Sequence, residues 1–282
     1  MLLVAAASMA VRARPTRAFV HSRHLHLRQS SISMSASQGG IITSDKLRLL
    51  LDAPGDVRLF EVGGQPPDRD SYTAGHIPGS AYIDIGSFAD PSSPVPMSRP
   101  SCGATFAKVL GELGLTDSSD TVVLYARPPK DANAHAGLGV MWAARAWWTL
   151  WSWGFDDVKL LDGCFDSEAW RAAGHSLTSG DEQYAPQTFC AASLVDRASS
   201  KRATTEEVIA VAAAGGEAQL MDVIPSWPNT GQHFGRDGHI KGAAGASFFE
   251  AVDEKTGRFM EREPFTGFVE TNFDLSRPII AY

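Results

Sequence analysis

Cys102, Cys164 and Cys190 are the three thiols among 282 residues. A thiolate is the nucleophile for covalent transfer chemistry, provided a helix N-terminus, a ring of backbone N–H groups or a cation draws its pKa down from about 8.5. Cys102 precedes a helix-like stretch at 104–113 and reads as a small residue opening a helix. Cys190 falls in an apolar run at 188–194 that reads as a strand, which makes it a buried, inert thiol. No C-x-x-C spacing occurs, so neither a zinc site nor a disulfide scaffold is implied, and a reducing compartment fits. His76 and His239 each stand between glycine and isoleucine, where an imidazole ties a turn by hydrogen bonds more readily than it acts as a base. Gly137-Leu138-Gly139 opens like a dinucleotide fingerprint, but Trp142 takes the third glycine's place and the preceding loop is too long for a pyrophosphate turn.

The elements that carry these residues occur twice. Gly75-His76-Ile77-Pro78-Gly79-Ser80-Ala81 returns as Gly238-His239-Ile240-Lys241-Gly242-Ala243-Ala244. Ahead of each lies an apolar segment containing an acid, Leu59-Phe60-Glu61-Val62 and Leu220-Met221-Asp222-Val223. After each comes a buried-strand pattern, Thr121–Tyr125 and Pro278–Tyr282. The first copy reads as strands at 57–62, 81–85, 121–125 and 158–161 alternating with helices near 44–51, 104–113, 138–152 and 167–173. The second reads as strands at 188–194, 219–223, 245–249 and 278–282 with helices at 204–214 and 265–271. Short apolar strands alternating with helices predict α/β architecture, each copy a parallel sheet with helices on both faces. The expected organisation is a leader at 1–38, a first domain at 39–177, a linker at 178–188 and a second domain at 189–282. The first copy continues about 50 residues past Tyr125, so the second is expected to be truncated, without its C-terminal part.

Charge is unevenly spread. Arg12, Arg14, Arg17, Arg23 and Arg28 fall in the first 44 residues, which hold no acid; the other 20 basic residues face 32 acidic ones. Such an acidic body argues against nucleic acid as a partner. The Ala-, Arg-, Ser- and His-rich leader has the composition of an organelle transit peptide, mitochondrial with plastid as the alternative, and cleavage is expected near 30–38. Its histidines at 21, 24 and 26 are filler of that segment. No apolar run reaches a membrane span; the nearest, Leu138 to Phe155, is interrupted by Arg145.

Tyr72-Thr73-Ala74-Gly75-His76-Ile77-Pro78-Gly79, followed by Ser80-Ala81-Tyr82-Ile83, resembles the N-terminal signature of the rhodanese family. The likeness continues through Leu113-Gly114-Leu115, Ala144-Arg145-Ala146-Trp147-Trp148, Trp153-Gly154-Phe155, Leu161-Asp162-Gly163 and Trp170, and covers about residues 41–282. It implies tandem rhodanese-like domains, the first non-catalytic, and sulfur transfer from thiosulfate or 3-mercaptopyruvate to cyanide or a thiol through a cysteine persulfide. No metal or organic cofactor is implied. The implied partners are small sulfur-containing anions and a thiol acceptor such as a thioredoxin-like protein, without nucleic acid or membrane. By the resemblance the nucleophile belongs directly after the second domain's fourth strand, that is after Tyr282, so none of the three cysteines is catalytic and the 282 residues are expected to be inactive. Cys164 stands where the family has the second glycine of a turn, a packing position. Asp222-Val223-Ile224 lacks the arginine that the family carries there for the donor's anion, while Arg236 matches a second family arginine and is the candidate substrate-binding residue. The readings left open beside this one are a non-catalytic rhodanese-like binding or regulatory module, a phosphatase on the same fold, and a piece of a longer coding sequence.

Overall fold

The computed structural model describes residues 40–95, 97–131, 133–214, 217–224 and 239–282. They fall into two compact bodies. One takes the described residues up to Ala198 together with Val252–Phe259; the other takes Ser199–Ala251 and Met260–Tyr282.

The first body is built on five parallel strands in the order β1-β5-β4-β2-β3: β1 (Ile41–Ile42), β2 (Val57–Gly63), β3 (Ser80–Asp84), β4 (Thr121–Tyr125) and β5 (Val158–Leu161). Helices α1 (Ser44–Asp52), α2 (Arg69–Ala74), α3 (Gly103–Glu112), α4 (Gly137–Ser152) and α5 (Ser167–Ala172) connect them. Parallel strands covered on both faces must be apolar throughout, and Val122, Val123, Leu124 and Tyr125 are all fully buried. The long α4 buries Val140, Ala143, Ala146, Trp147 and Leu150. Each large apolar side chain removed from water contributes about 1.5–3 kcal/mol. Trp147 stacks on Trp151 at 6.1 Å, the i,i+4 pairing expected of that helix, and donates its indole N–H to the Val158 carbonyl at 2.9 Å. Gly139 lets α4 lie close to the loop after β4, because a Cβ there would come within 2.1 Å of the Arg127 carbonyl oxygen.

Residues 178–188, read from sequence as a linker, run as a strap across this body. Thr178 bridges His76 antiparallel, Arg69 grips both oxygens of Asp181 at 2.6 and 2.7 Å, and the Gln187 N–H reaches the Gly111 carbonyl at 2.8 Å. The strand expected at 188–194 is not formed; Ala191–Ser193 make one 3-10 turn instead, held by Cys190 N–H to the Thr116 carbonyl at 2.7 Å. The run holds only Phe189 as a buried hydrophobic, too little to form a sheet-covered strand.

The second body has three parallel strands in the order β7-β6-β8: β6 (Gln219–Asp222), β7 (Ala244–Gly245) and β8 (Ile279–Ala281), with helices α6 (Thr205–Ala214) and α7 (Arg262–Glu270). The predicted strand at 245–249 is shorter than expected and gives way to a 3-10 turn at Phe248–Ala251. Helix α6 starts on a reciprocal cap: the Thr204 hydroxyl accepts the Glu207 N–H at 3.2 Å, and the Glu207 carboxylate accepts the Thr204 N–H at 2.7 Å. The strand registers of the two sheets coincide. Phe60 stands between Ala81 and Leu124, and Met221 stands between Ala244 and Ala281. Glu61 lies beside Tyr82 as Asp222 lies beside Gly245.

Candidate functional site

In a parallel α/β sheet the carboxyl ends of the strands are where loops and helix N-termini converge, and sites form there. In the five-stranded body that edge is closed by its own side chains. Arg127, two residues past β4, donates from Nε and Nη2 to the two carboxylate oxygens of Glu61 at 2.7 and 3.0 Å and also to the Gly75 carbonyl. Its guanidinium lies 5.4 Å from the Phe165 ring centroid. Burial pushes the Glu61 carboxyl up, and the Arg127 hydrogen bonds and charge oppose that rise. The cation that could hold a substrate anion is thus already engaged by a buried carboxylate. Beside it the Tyr125 hydroxyl meets the Ser80 hydroxyl at 2.8 Å, and burial drives that phenol far above its ordinary range. His76 is fully buried, its Nδ1 2.9 Å from the Tyr72 carbonyl and its ring stacked on Tyr72 at 3.9 Å, the turn-tying role expected of it.

The loop beyond Arg127 is sealed in the same way. Residues 252–259 belong to this body: the Glu254 carbonyl accepts the Ala136 N–H at 2.8 Å, the Thr256 carbonyl accepts the Cys164 N–H at 2.8 Å, and Asp162 accepts the Phe259 N–H at 3.0 Å. Cys164 points into this packing and donates to the Ala136 carbonyl at 3.3 Å. Burial pushes its thiol up to about 11, which leaves it protonated and unreactive at neutral pH.

The corresponding edge of the three-stranded body carries the same backbone frame with different side chains. Asp222 accepts the Ile224 N–H at 3.0 Å. The Tyr282 carbonyl accepts the Val223 N–H at 3.1 Å, its N–H donates to Met221 at 3.0 Å, and its phenol accepts the Ile240 N–H at 3.1 Å. Burial raises the Tyr282 phenol and the Asp222 charge adds to the rise. Ala243 replaces Ser80, so this tyrosine has no hydroxyl partner from that position. Unlike His76, His239 is exposed. Arg236, the predicted anion-binding residue, lies outside the described residues.

Of the other thiols, Cys190 is exposed rather than buried, which corrects the reading of its strand. Cys102 is exposed at the start of α3, and the Thr105 N–H, the Thr105 hydroxyl and the Ala104 N–H draw its thiol down. Sequence reasoning missed the Glu61–Arg127 pair and the seating of Tyr184, whose hydroxyl accepts the Leu59 N–H at 2.9 Å and donates to the Gly79 carbonyl at 2.6 Å. The one available signal was the type of each residue: an acid inside an apolar strand, and an aromatic inside a polar linker. Among the described residues no group of three or more His, Cys, Asp or Glu side chains is arranged to hold a metal ion, and no helix is long and apolar enough to cross a membrane.

No family model matches the chain. Individual proteins do. A thiosulfate sulfurtransferase of Cricetulus griseus is 30% identical over 223 residues, 76% of this chain and 68% of that protein. A 3-mercaptopyruvate sulfurtransferase of Homo sapiens is likewise 30% identical over 223 residues, with the same shares of the two chains. The chain belongs to the rhodanese-type sulfurtransferases. A third relative, from Arabidopsis thaliana, is called thiosulfate/3-mercaptopyruvate sulfurtransferase 1, mitochondrial; it is 30% identical over 155 residues, 53% of this chain and 37% of its own. The rhodanese fold itself is matched by the crystal structure of the 3-mercaptopyruvate sulfotransferase SseA from Escherichia coli, at TM-score 0.67 and 23% identity over 86% of this chain and 87% of that one. In the five-stranded body the histidine of the Gly-His-Ile turn is a packing element.

Proposed function

We propose that this rhodanese-type chain moves sulfane sulfur from thiosulfate or 3-mercaptopyruvate to cyanide or to a thiol such as that of a thioredoxin-like protein, with the five-stranded body as a non-catalytic scaffold. The observation that supports the reading is the contrast between the two carboxyl edges: Glu61 is paired with the guanidinium of Arg127, whereas Asp222 bonds the Ile224 N–H and the Tyr282 phenol. In the reaction a thiolate attacks the outer sulfur of thiosulfate, an S–S bond forms and sulfite leaves; the acceptor then takes the outer sulfur and the thiolate is regenerated. In this reading the nucleophile belongs directly after the fourth strand of the second copy, a place that none of Cys102, Cys164 and Cys190 takes. Arg236 would hold the donor anion. In this reading residues 1–38 form a transit peptide, residues 39–177 and 189–282 are tandem copies, and the destination is the mitochondrion, with the plastid as alternative.

Residues 1–282 are expected to bind thiosulfate, about tenfold more weakly in Arg236→Ala, and to form no thiocyanate from thiosulfate and cyanide. Turnover at an ordinary enzyme rate would overturn the placing of the nucleophile. N-terminal sequencing of protein from cells tests the leader, and retention of Arg12 removes it. A second reading, a binding or regulatory module, is favoured by Asp222-Val223-Ile224, which lacks an arginine; its mark is tight binding of a partner protein with no effect of sulfur anions.

A further inference from the structure

The five-stranded body's grip on the chain ends abruptly. Past the strap, the Ser193 hydroxyl accepts the Ser118 N–H at 3.0 Å, the Val195 N–H reaches the Trp153 carbonyl at 3.0 Å, and the Arg197 N–H reaches the Ser152 carbonyl at 2.9 Å. The Arg197 guanidinium donates to the Gly154 carbonyl at 2.9 Å and to Asp156 at 2.7 Å. Ala198 is 1% exposed, and its N–H donates to Asp196 at 3.0 Å. The division between the two bodies falls at the next bond, after Ala198. Thr204 then enters the reciprocal cap of α6 with Glu207.

Ser199-Ser200-Lys201-Arg202-Ala203 are left to make this crossing. All are exposed; Ser199 to Lys201 form a turn, and Arg202 and Ala203 take no regular structure. The segment read from sequence as the linker is bonded across the five-stranded body, so the exposed connection lies here instead. Lys201-Arg202 is also the one place among the 282 residues where two Lys or Arg residues adjoin. Neither makes an ion pair among the described residues. Other basic side chains are less open to capture: Lys130 is paired with Asp68 at 2.9 Å and precedes Asp131, Arg197 is held as above, and Arg277 precedes Pro278. An endoprotease binds its substrate as an extended strand, which a helix or a sheet must unfold to supply and an exposed turn supplies at little cost.

We propose that Lys201-Arg202 is a processing site for an endoprotease with two adjoining acidic subsites, which take the ammonium and the guanidinium side by side. Water adds to the Arg202 carbonyl, the bond to the Ala203 nitrogen breaks, and the products are a carboxylate on Arg202 and a free amine on Ala203. Ser199, Ser200 and Ala203 flank the pair with small, uncharged side chains that add no clash or like charge. The cut falls between the last bond of Ala198 and the cap of Thr204, so both bodies keep the hydrogen bonds that order them.

The test uses the 282-residue protein under native conditions and a subtilisin-type protease specific for paired basic residues, with the cut sites mapped by mass spectrometry. One cut after Arg202 is expected, giving residues 1–202 and 203–282. Dilute trypsin, which reads single basic residues, should make its first cut within residues 40–282 after Lys201 or Arg202, at least about tenfold faster than after the anchored Arg197. Arg202→Gln should abolish the cut by the pair-specific protease. Ala203→Pro, which keeps both charges, should block it as well, and both exposed changes should leave the circular dichroism spectrum as it was. Cleavage by the pair-specific protease only after urea has unfolded the chain, or a first tryptic cut elsewhere in residues 40–282, overturns the proposal. So does protein from cells that carries no N-terminus at Ala203.

Discussion

Glu61 and Asp222 occupy the same place on the same strand of two sheets paired in the same register, yet their partners differ. Glu61 is 2% exposed and bound bidentately by Arg127; Asp222 is half-buried and bonded to the Ile224 N–H and the Tyr282 phenol. In the five-stranded body a guanidinium from the loop after β4 reaches back into the sheet and consumes the anion-binding capacity of that edge.

The sharpest way to break this contrast is Arg127→Met. It strands the Glu61 carboxylate in a dry site, and breaking a buried pair from one side costs about 3–5 kcal/mol. Denaturant unfolding should show that loss, and hydrogen exchange should confine it to the five-stranded body; an equal loss in both bodies would refute the division. Tyr184→Phe removes the phenol's two backbone partners and should cost about 1–3 kcal/mol, read as faster exchange of the Leu59 amide. Thr204→Ala tests the opposite side, since losing the α6 cap should destabilise the three-stranded body by about 1 kcal/mol and leave amides of β4 untouched. The smallest perturbation uses no mutation. A thiol with a depressed pKa ionises at lower pH, so iodoacetamide should label Cys102 at lower pH than an ordinary thiol, while Cys164, at about 11, stays unlabelled through pH 8 in the folded protein. Mass-spectrometric mapping reads both.

The apolar strands were legible to the residue, as at Thr121–Tyr125 and at Val158–Leu161, where Lys159 is the one interruption. Strand β1 was not, because two residues carry no period; its place comes from pairing with Leu160 and Leu161 far along the chain. Helix α2 is Arg-Asp-Ser-Tyr-Thr-Ala, polar except for Tyr72, and is held by an Asp68 cap rather than by an apolar face. The strap was read as a linker for the same reason: its composition is that of a loop, and the bonds from Tyr184 to Leu59 and Gly79 span more than a hundred residues. At the site, the types of Glu61 and Asp222 and the turn histidines were visible, but whether an acid inside a strand is paired depends on which loop folds over it. Cys190 shows the limit of reading burial from hydrophobicity alone, since a short apolar run with one large side chain can sit on the surface.

Cys164 has a consequence for a protein of this family. An enzyme that handles reactive sulfur exposes its own thiols to stray persulfidation and overoxidation. Gly139 and Gly257 each bring their backbone so close to this sulfur that a Cβ at either would lie 3.1 Å from it. A modified sulfur would need at least one more atom in that space. Backbone crowding on two sides, together with a thiol held protonated by burial, therefore disfavours such side reactions at Cys164.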